Sequence, residues 1–130
     1  MNGIARVFML VAVACALGGM AWGIQMSASQ DHLLSPAHGH LNLLGWVSCA
    51  IYAFYYHLVP SAGEGGLPRL HLAATVLSLA LLVPGIPLAI LEQTEMLAKA
   101  GSLAALVSML LFGVVVLRSR PEKAAFAQQR

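Results

Sequence analysis

The sequence predicts an all-α integral membrane protein, a four-helix bundle that forms one membrane domain over residues 1–130. Of the 130 residues, 59% are hydrophobic and only 9% are charged, and the mean hydropathy is +0.80. A typical soluble domain has about a quarter charged residues. Four apolar stretches, approximately 4–24, 37–59, 70–91 and 96–117, each approach the length of about 20 residues that a helix needs to cross a bilayer. These stretches leave no room for a separate soluble domain.

The first stretch is expected to be a retained helix and not a secretory signal peptide. The apolar run that follows Arg6 continues to Ile24, which is long for such a signal. Three glycines lie near its C-terminal end: Gly18, Gly19 and Gly23. Small residues in membrane helices usually allow close packing, which is the favoured interpretation here, and the alternative is that these glycines make room for a flat ligand.

The second stretch begins with the most informative pattern in the chain, a pair of histidines at i and i+2. Ser35 and Pro36 are typical of a helix N-cap and first turn. His38 and His40 follow, and in a regular helix they point about 200° apart. They therefore cannot bind one face of a single haem, and each is expected to serve a different neighbour. In a cyclic homo-oligomer, His38 of one copy could meet His40 of the next.

The distribution of basic residues predicts the orientation. Six of them fall at the N-terminus, in the middle loop and in the C-terminal tail: Arg6, Arg69, Arg118, Arg120, Lys123 and Arg130. Four crossings put these segments on one side, so both termini are expected to be cytoplasmic and the protein multi-pass in a bacterial-type cytoplasmic (inner) membrane. The histidine pair then lies near the outer face. The basic tail is interpreted as a membrane anchor and not as a nucleic-acid arm.

Other chemistry-bearing residues are assigned plainer roles. The aromatic residues at the end of the second stretch are predicted to form a belt at the inner interface: Tyr52, Phe54, Tyr55, Tyr56 and His57. His71 is expected to be an interfacial anchor at the same depth, with a second cofactor between His57 and His71 as the alternative. His32 is expected in a solvated loop. Pro84 and Pro87 predict a kink in the third helix.

Several kinds of site have no sequence support. Cys15 and Cys49 lie within predicted spans and are interpreted as buried small residues. The chain has no Cys-x-x-Cys-His motif, which excludes covalent c-type haem, and it has no phosphate-binding glycine loop or nucleophile elbow. Imidazole ligation is the remaining candidate chemistry.

One segment of about 25 residues resembles a known family. His38-Gly39-His40-Leu41, then Gly45-Trp46-Val47, then Tyr55-Tyr56-His57-Leu58-Val59-Pro60 are similar to a helix of the haem-copper oxidase subunit I superfamily, and more closely to its NnrS-type relatives. In that superfamily a His-x-His pair serves haems on the two sides of one helix. The resemblance implies that His38 and His40 bind haem b.

The resemblance also implies an assembly. The catalytic subunit of that superfamily has twelve helices in three groups of four, whereas this chain supplies four, so a homotrimer is the favoured assembly. No cluster matches the family's three-histidine copper site, and reduction of oxygen or nitric oxide is not expected. The chain is interpreted as a small b-type cytochrome for electron transfer or for a redox or gas response, with an unknown redox partner.

Two further residues are assigned to the haem site. Asn42 lies one turn after His38 and could orient an imidazole or a haem propionate. Trp46 could pack on the macrocycle.

Two alternatives stay open at this point. The chain could bind copper or zinc, or assist oxidase assembly, through residues at the outer surface: Asp31, His32, His38 and His40. This requires an unwound helix start or several converging chains. The chain could also be a structural membrane subunit without a cofactor, surrounded by lipid and copies of itself.

Overall fold

The structure is a computed structural model that describes residue 1 and residues 3–119. Its helices are α1 (Gly3–Ser29), α2 (Ser35–His40), a π-helical segment (Leu41–Ser48), α3 (Cys49–Leu58), a 3-10 turn (Pro60–Gly63), α4 (Leu67–Ile90) and α5 (Met96–Arg118). The all-α prediction is confirmed for these residues. The predicted basic tail from Arg120 to Arg130 lies outside them.

Among the described residues, three helices are long and apolar enough to cross a membrane: α1, α4 and α5. They indicate a membrane protein and cover three of the four apolar stretches in the sequence. α1 extends to Ser29, beyond the apolar run, because polar residues can continue a helix where it leaves the hydrocarbon region. α4 continues through Pro84 and Pro87 as one helix.

The other apolar stretch folds as α2, the π segment and α3, which follow one another without a break. Leu34, and not Ser35, is the N-cap of α2, and Pro36 lies in the first turn. In the π segment the hydroxyl of Ser48 donates a hydrogen bond to the carbonyl of Leu43, five residues earlier, at 2.9 Å. A regular helix was predicted here, and the widened turns differ from it. Such turns are rare and are often found at functional sites.

Small residues set the spacing between neighbouring helices. Gly101 of α5 lies against the backbone of α4 at Leu82, and Gly85 of α4 lies against the backbone of α5 at Ala98. Gly45 of the π segment lies against the side chain of Cys15 in α1. Membrane helices usually associate through close packing of this kind. Transfer of an apolar side chain from lipid to the helix interface contributes little free energy, because both surroundings are apolar.

The bundle has two distinct ends. Residues of the α1 start and the α5 end line pockets beside the Pro60–Gly63 turn, and we call this the basic end, after its Arg6, Arg69 and Arg118. The start of α2 and the α4–α5 turn lie at the opposite end, which we call the histidine end after His38 and His40. Near that turn the exposed Lys99 pairs with Glu95 at 2.6 Å, and this hydrogen bond lowers the pKa of the Glu95 carboxyl.

Candidate functional site

His38 ties α2 to α1. Its ring is half-buried, and Nε2 lies 3.0 Å from the carbonyl oxygen of Gly19. A carbonyl can only accept a hydrogen bond, so Nε2 carries the proton and Nδ1 is the unprotonated nitrogen of the neutral ring. The ring also meets Trp22 edge-on, with centroids 6.2 Å apart. His38 is therefore part of the packing between two helices.

The glycines of α1 make this contact possible. A Cβ at Gly23 would lie 3.3 Å from Nε2 of His38, and a Cβ at Gly19 would overlap the side-chain amide of Asn42. The amide nitrogen of Asn42 donates to the backbone carbonyl of His38 at 2.9 Å, not to an imidazole ring. Within the chain these glycines serve close helix packing, which was the favoured interpretation of the sequence.

His40 is placed differently. Its ring is exposed, and Nδ1 lies 2.8 Å from the carbonyl oxygen of Pro36, one turn earlier. The same argument puts the proton on Nδ1 and leaves Nε2 unprotonated and accessible. A metal-bound histidine typically has this arrangement, in which one ring nitrogen donates to a carbonyl while the other binds the metal. His40 is thus held in the tautomer and orientation of a ligand.

The structure does not bring His38 and His40 to one site. One ring packs on α1 and the other is open to the surroundings of the bundle. Leu43 is 61% exposed and Trp46 is 46% exposed, so the segment that follows His40 has an exposed apolar surface. Asn42 is half-buried on the side of the helix that carries His38.

Asp31 and His32 stay in the exposed loop before α2. The carboxylate of Asp31 accepts a hydrogen bond from the backbone N–H of Leu33 at 2.9 Å, which closes a local turn. Among residues 1 and 3–119, no three His, Cys, Asp or Glu side chains lie close enough together to hold a metal ion. A copper or zinc site built on these residues would still need an unwound helix start or more than one chain.

His71 is the residue whose place the sequence prediction missed. It was expected at the membrane interface, but it is 0% exposed and lies in the middle of an aromatic cluster. The ring centroids of Tyr52 and Phe8 lie 4.5 and 4.9 Å from that of His71. Phe112 of α5 lies 5.5 Å away. The alternative of a second cofactor between His57 and His71 has no support from their burial, since His71 is enclosed and His57 is exposed.

Tyr52 and Tyr56 also belong to this cluster and are 4% and 3% exposed, so they pack inside the bundle and do not face its surroundings as a belt would. The Tyr56 hydroxyl lies 2.9 Å from Nδ1 of His71, while the Tyr52 hydroxyl points to the sulfur of Met109 at 3.9 Å. One signal in the sequence could have revealed this. Gly45, Cys49, Tyr52 and Tyr56 follow one another at intervals of four, three and four residues. Residues spaced in this way share one face of a helix, here the face that packs against α1.

The two histidines of α2 are expected to differ in their effect on stability. His38→Ala removes the hydrogen bond to Gly19 and half-buried packing, and we expect the free energy of unfolding to fall by about 1 kcal/mol, since hydrogen bonds between membrane helices average about 0.6 kcal/mol and reach about 1.7. His40→Ala, the matched control, should change it by less than about 0.5 kcal/mol. Detergent-titration unfolding of haem-free protein, followed by circular dichroism, measures both. A larger loss in His40→Ala would contradict this assignment.

In comparisons with known proteins, no family model, no curated protein and no solved structure matches the chain.

Proposed function

We propose that the chain is a small membrane b-type cytochrome in which copies of the chain hold haem b through His40. The observation that carries the proposal is the His40 ring, whose Nδ1 donates to the Pro36 carbonyl at 2.8 Å and whose Nε2 is therefore free to bind iron. An imidazole exposed on an apolar segment is costly unless something binds it. The resemblance of the surrounding segment to haem-binding helices of the oxidase superfamily points to the same group.

In this proposal His38 positions the helix and does not bind the iron. Nδ1 is the nitrogen left free on the His38 ring, but this ring is half-buried and packs against Trp22 of α1, so binding iron there would disturb the contact between α1 and α2. His40 needs no such rearrangement. The apolar surface that follows His40, including Trp46, is suited to pack on a macrocycle in the same membrane environment.

The second axial ligand decides the type of chemistry. Haem would supply a one-electron redox couple. With two imidazoles on the iron it would serve electron transfer, and with only one imidazole on the iron a gas could bind in the open position. In a dimer, His40 of each copy could bind one haem across the two-fold axis. In the homotrimer that the resemblance favours, the second ligand must come from a different surface of the neighbour. No catalytic residue is proposed.

The proposal places the protein in a bacterial-type cytoplasmic membrane with both termini inside. Support comes from the basic end, where the α1 start and the α5 end lie beside the same turn and where the arginines collect. Basic residues favour the cytoplasmic side. The His40 site then lies towards the outer face.

The test is an absorption spectrum of the protein, expressed with haem supplied and purified in mild detergent, before and after reduction with dithionite. We expect a Soret band, with sharp α and β bands on reduction if two imidazoles bind. His40→Ala should lose these bands. His38→Ala should retain the ligation in the fraction that stays folded, and His32→Ala, at an exposed histidine of the same end, serves as the control.

The outcomes separate the alternatives. Colourless wild-type protein, or an unchanged spectrum in His40→Ala, contradicts the proposal. Metal analysis of such colourless protein would then distinguish a copper or zinc protein from a structural subunit. The molecular mass of the haem-loaded complex gives the number of copies.

A further inference from the structure

A second feature of the molecule, independent of the His40 site, is the environment of His71. Its imidazole is surrounded by aromatic rings from three other helices, Phe8 of α1, Tyr52 and Tyr56 of α3, and Phe112 of α5, with centroids between 4.5 and 5.9 Å away. Aromatic faces at this distance attract a cation. The cluster therefore offsets part of the cost of burying a charged imidazolium ring.

The hydrogen bonding of His71 is incomplete. Nδ1 is paired with the Tyr56 hydroxyl at 2.9 Å, but within residues 1 and 3–119 the buried Nε2 has no hydrogen-bond partner. Buried polar atoms are nearly always paired, and an exception calls for an explanation. The bond to Tyr56 gives Nδ1 a structural role, whereas Nε2 has no such role among the described residues, and this points to protonation chemistry at the ring.

Tyr56 connects this buried ring to the basic end. It is only 3% exposed, yet it lines a surface pocket of about 400 Å³ together with His57, Gly63 and Glu64. His57 and Glu64 are exposed, so the pocket is open to solvent. Tyr56 thus both borders this pocket and bonds Nδ1 of His71 through its hydroxyl.

Among the described residues that face His71, Tyr56 is its single titratable hydrogen-bond partner. Tyr52, from the same helix as Tyr56, contributes an aromatic ring and directs its hydroxyl to Met109. α1 and α5 contribute the apolar rings of Phe8 and Phe112. In the described part of the chain no salt bridge involves His71.

We propose that His71 is a proton-binding site that is loaded from the pocket at the basic end through the Tyr56 hydroxyl. In the receptive state Nε2 carries the proton of the neutral ring and Nδ1 accepts from the hydroxyl. Tyr56 transfers its proton to Nδ1, and its oxygen takes a proton from a hydronium ion in the pocket, which leaves a water molecule. The positive charge moves from the hydronium ion to the imidazolium, and Tyr56 ends neutral.

The test follows the wild-type protein in lipid nanodiscs by NMR, with isotope labels on the histidine ring nitrogens and the hydroxyl-bearing carbons of tyrosine. Alanine variants at the other histidines assign the His71 signals by elimination, so that His71 stays in place. As the pH is lowered, we expect the His71 nitrogens to shift to the protonated form, with the Tyr56 carbon shifting at the same midpoint. Tyr56→Phe should slow solvent exchange of the His71 ring protons by about tenfold or more, because it removes a positioned proton donor.

Tyr52→Phe is the matched control, because it deletes the same hydroxyl from a ring that also contacts His71 but does not bond it. Its exchange rate should stay within about twofold of the wild-type rate if the bond from Tyr56, and not packing, carries the proton. Equal rates in wild type and Tyr56→Phe overturn the proposal. A wild-type Tyr56 signal that stays constant while His71 titrates also overturns it, and so does a His71 that stays neutral while the protein is folded; neither readout needs a variant in the cluster. None of these results depends on haem.

Discussion

Phe8→Ala is expected to lower the free energy of unfolding by about 3 kcal/mol, the low end of the range for deletion of a buried phenylalanine ring. Phe8 is 0% exposed and packs between Tyr52, Tyr56 and His71, with ring centroids 4.9 to 5.5 Å away. The low end applies because transfer from lipid into the bundle contributes little. The loss comes from the cavity and from broken contacts, which join α1 to α3 and α4 at one point.

Phe54→Ala is the control for this substitution. Phe54 lies in α3, two residues from Tyr52 and Tyr56, but it is 54% exposed and faces away from the cluster. The same deletion there should cost less than about 0.5 kcal/mol. Unfolding in mixed micelles, followed by circular dichroism, compares the two variants. Similar losses in both would mean that the aromatic cluster contributes no special packing.

The sequence predicted the helices of this fold well because their signal is a simple one. Long apolar runs leave a membrane helix as the only way to satisfy the backbone, so α1, α4 and α5 follow from hydropathy alone. The helix ends were harder. Ser29 ends α1 beyond the apolar run, since hydropathy marks where the hydrocarbon region stops and not where hydrogen bonding stops.

The hydrogen-bond register of the second apolar stretch could not be predicted. Residues 41–48 are as apolar as those of a regular helix, and their polarity contains no information on whether a carbonyl accepts from four or five residues ahead. The opposite directions of the His38 and His40 side chains could be predicted because both residues lie in the regular helix before the π segment. Which of the two rings is half-buried and which is exposed could not be predicted, since this depends on which side of α2 meets Gly19.

The burial of His71 was missed for a related reason. A histidine one turn into a membrane helix has the same sequence signature whether it reaches for the interface or packs inward. Whether His71 is buried depends on Phe8 and Phe112, which are distant in sequence. Their rings contact the imidazole only after the helices have packed. The tyrosines 52 and 56 were visible as aromatic residues near a membrane boundary, and their depth depended on the same packing.

A close approach between the backbones of α4 and α5 leads to the last prediction, that Gly101→Leu will prevent these helices from packing. We expect it to cost at least about 3 kcal/mol, the upper part of the range for overpacking. A Cβ at Gly101 would lie 2.7 Å from the backbone nitrogen of Leu82. Backbone atoms cannot rotate aside as a flexible side chain can, so the helices must separate. The reciprocal contact of Gly85 with Ala98 is then lost as well.

Gly113→Leu is the control, because it makes the same change in the same helix. Among the described residues, no neighbouring heavy atom lies within 4 Å of a Cβ added there, so this variant should leave stability nearly unchanged. Glycine loses more conformational entropy than leucine when a helix forms, and this applies equally at both positions. A loss in Gly101→Leu alone therefore identifies the contact, whereas equal behaviour of the two variants would show that α4 and α5 do not pack at this distance.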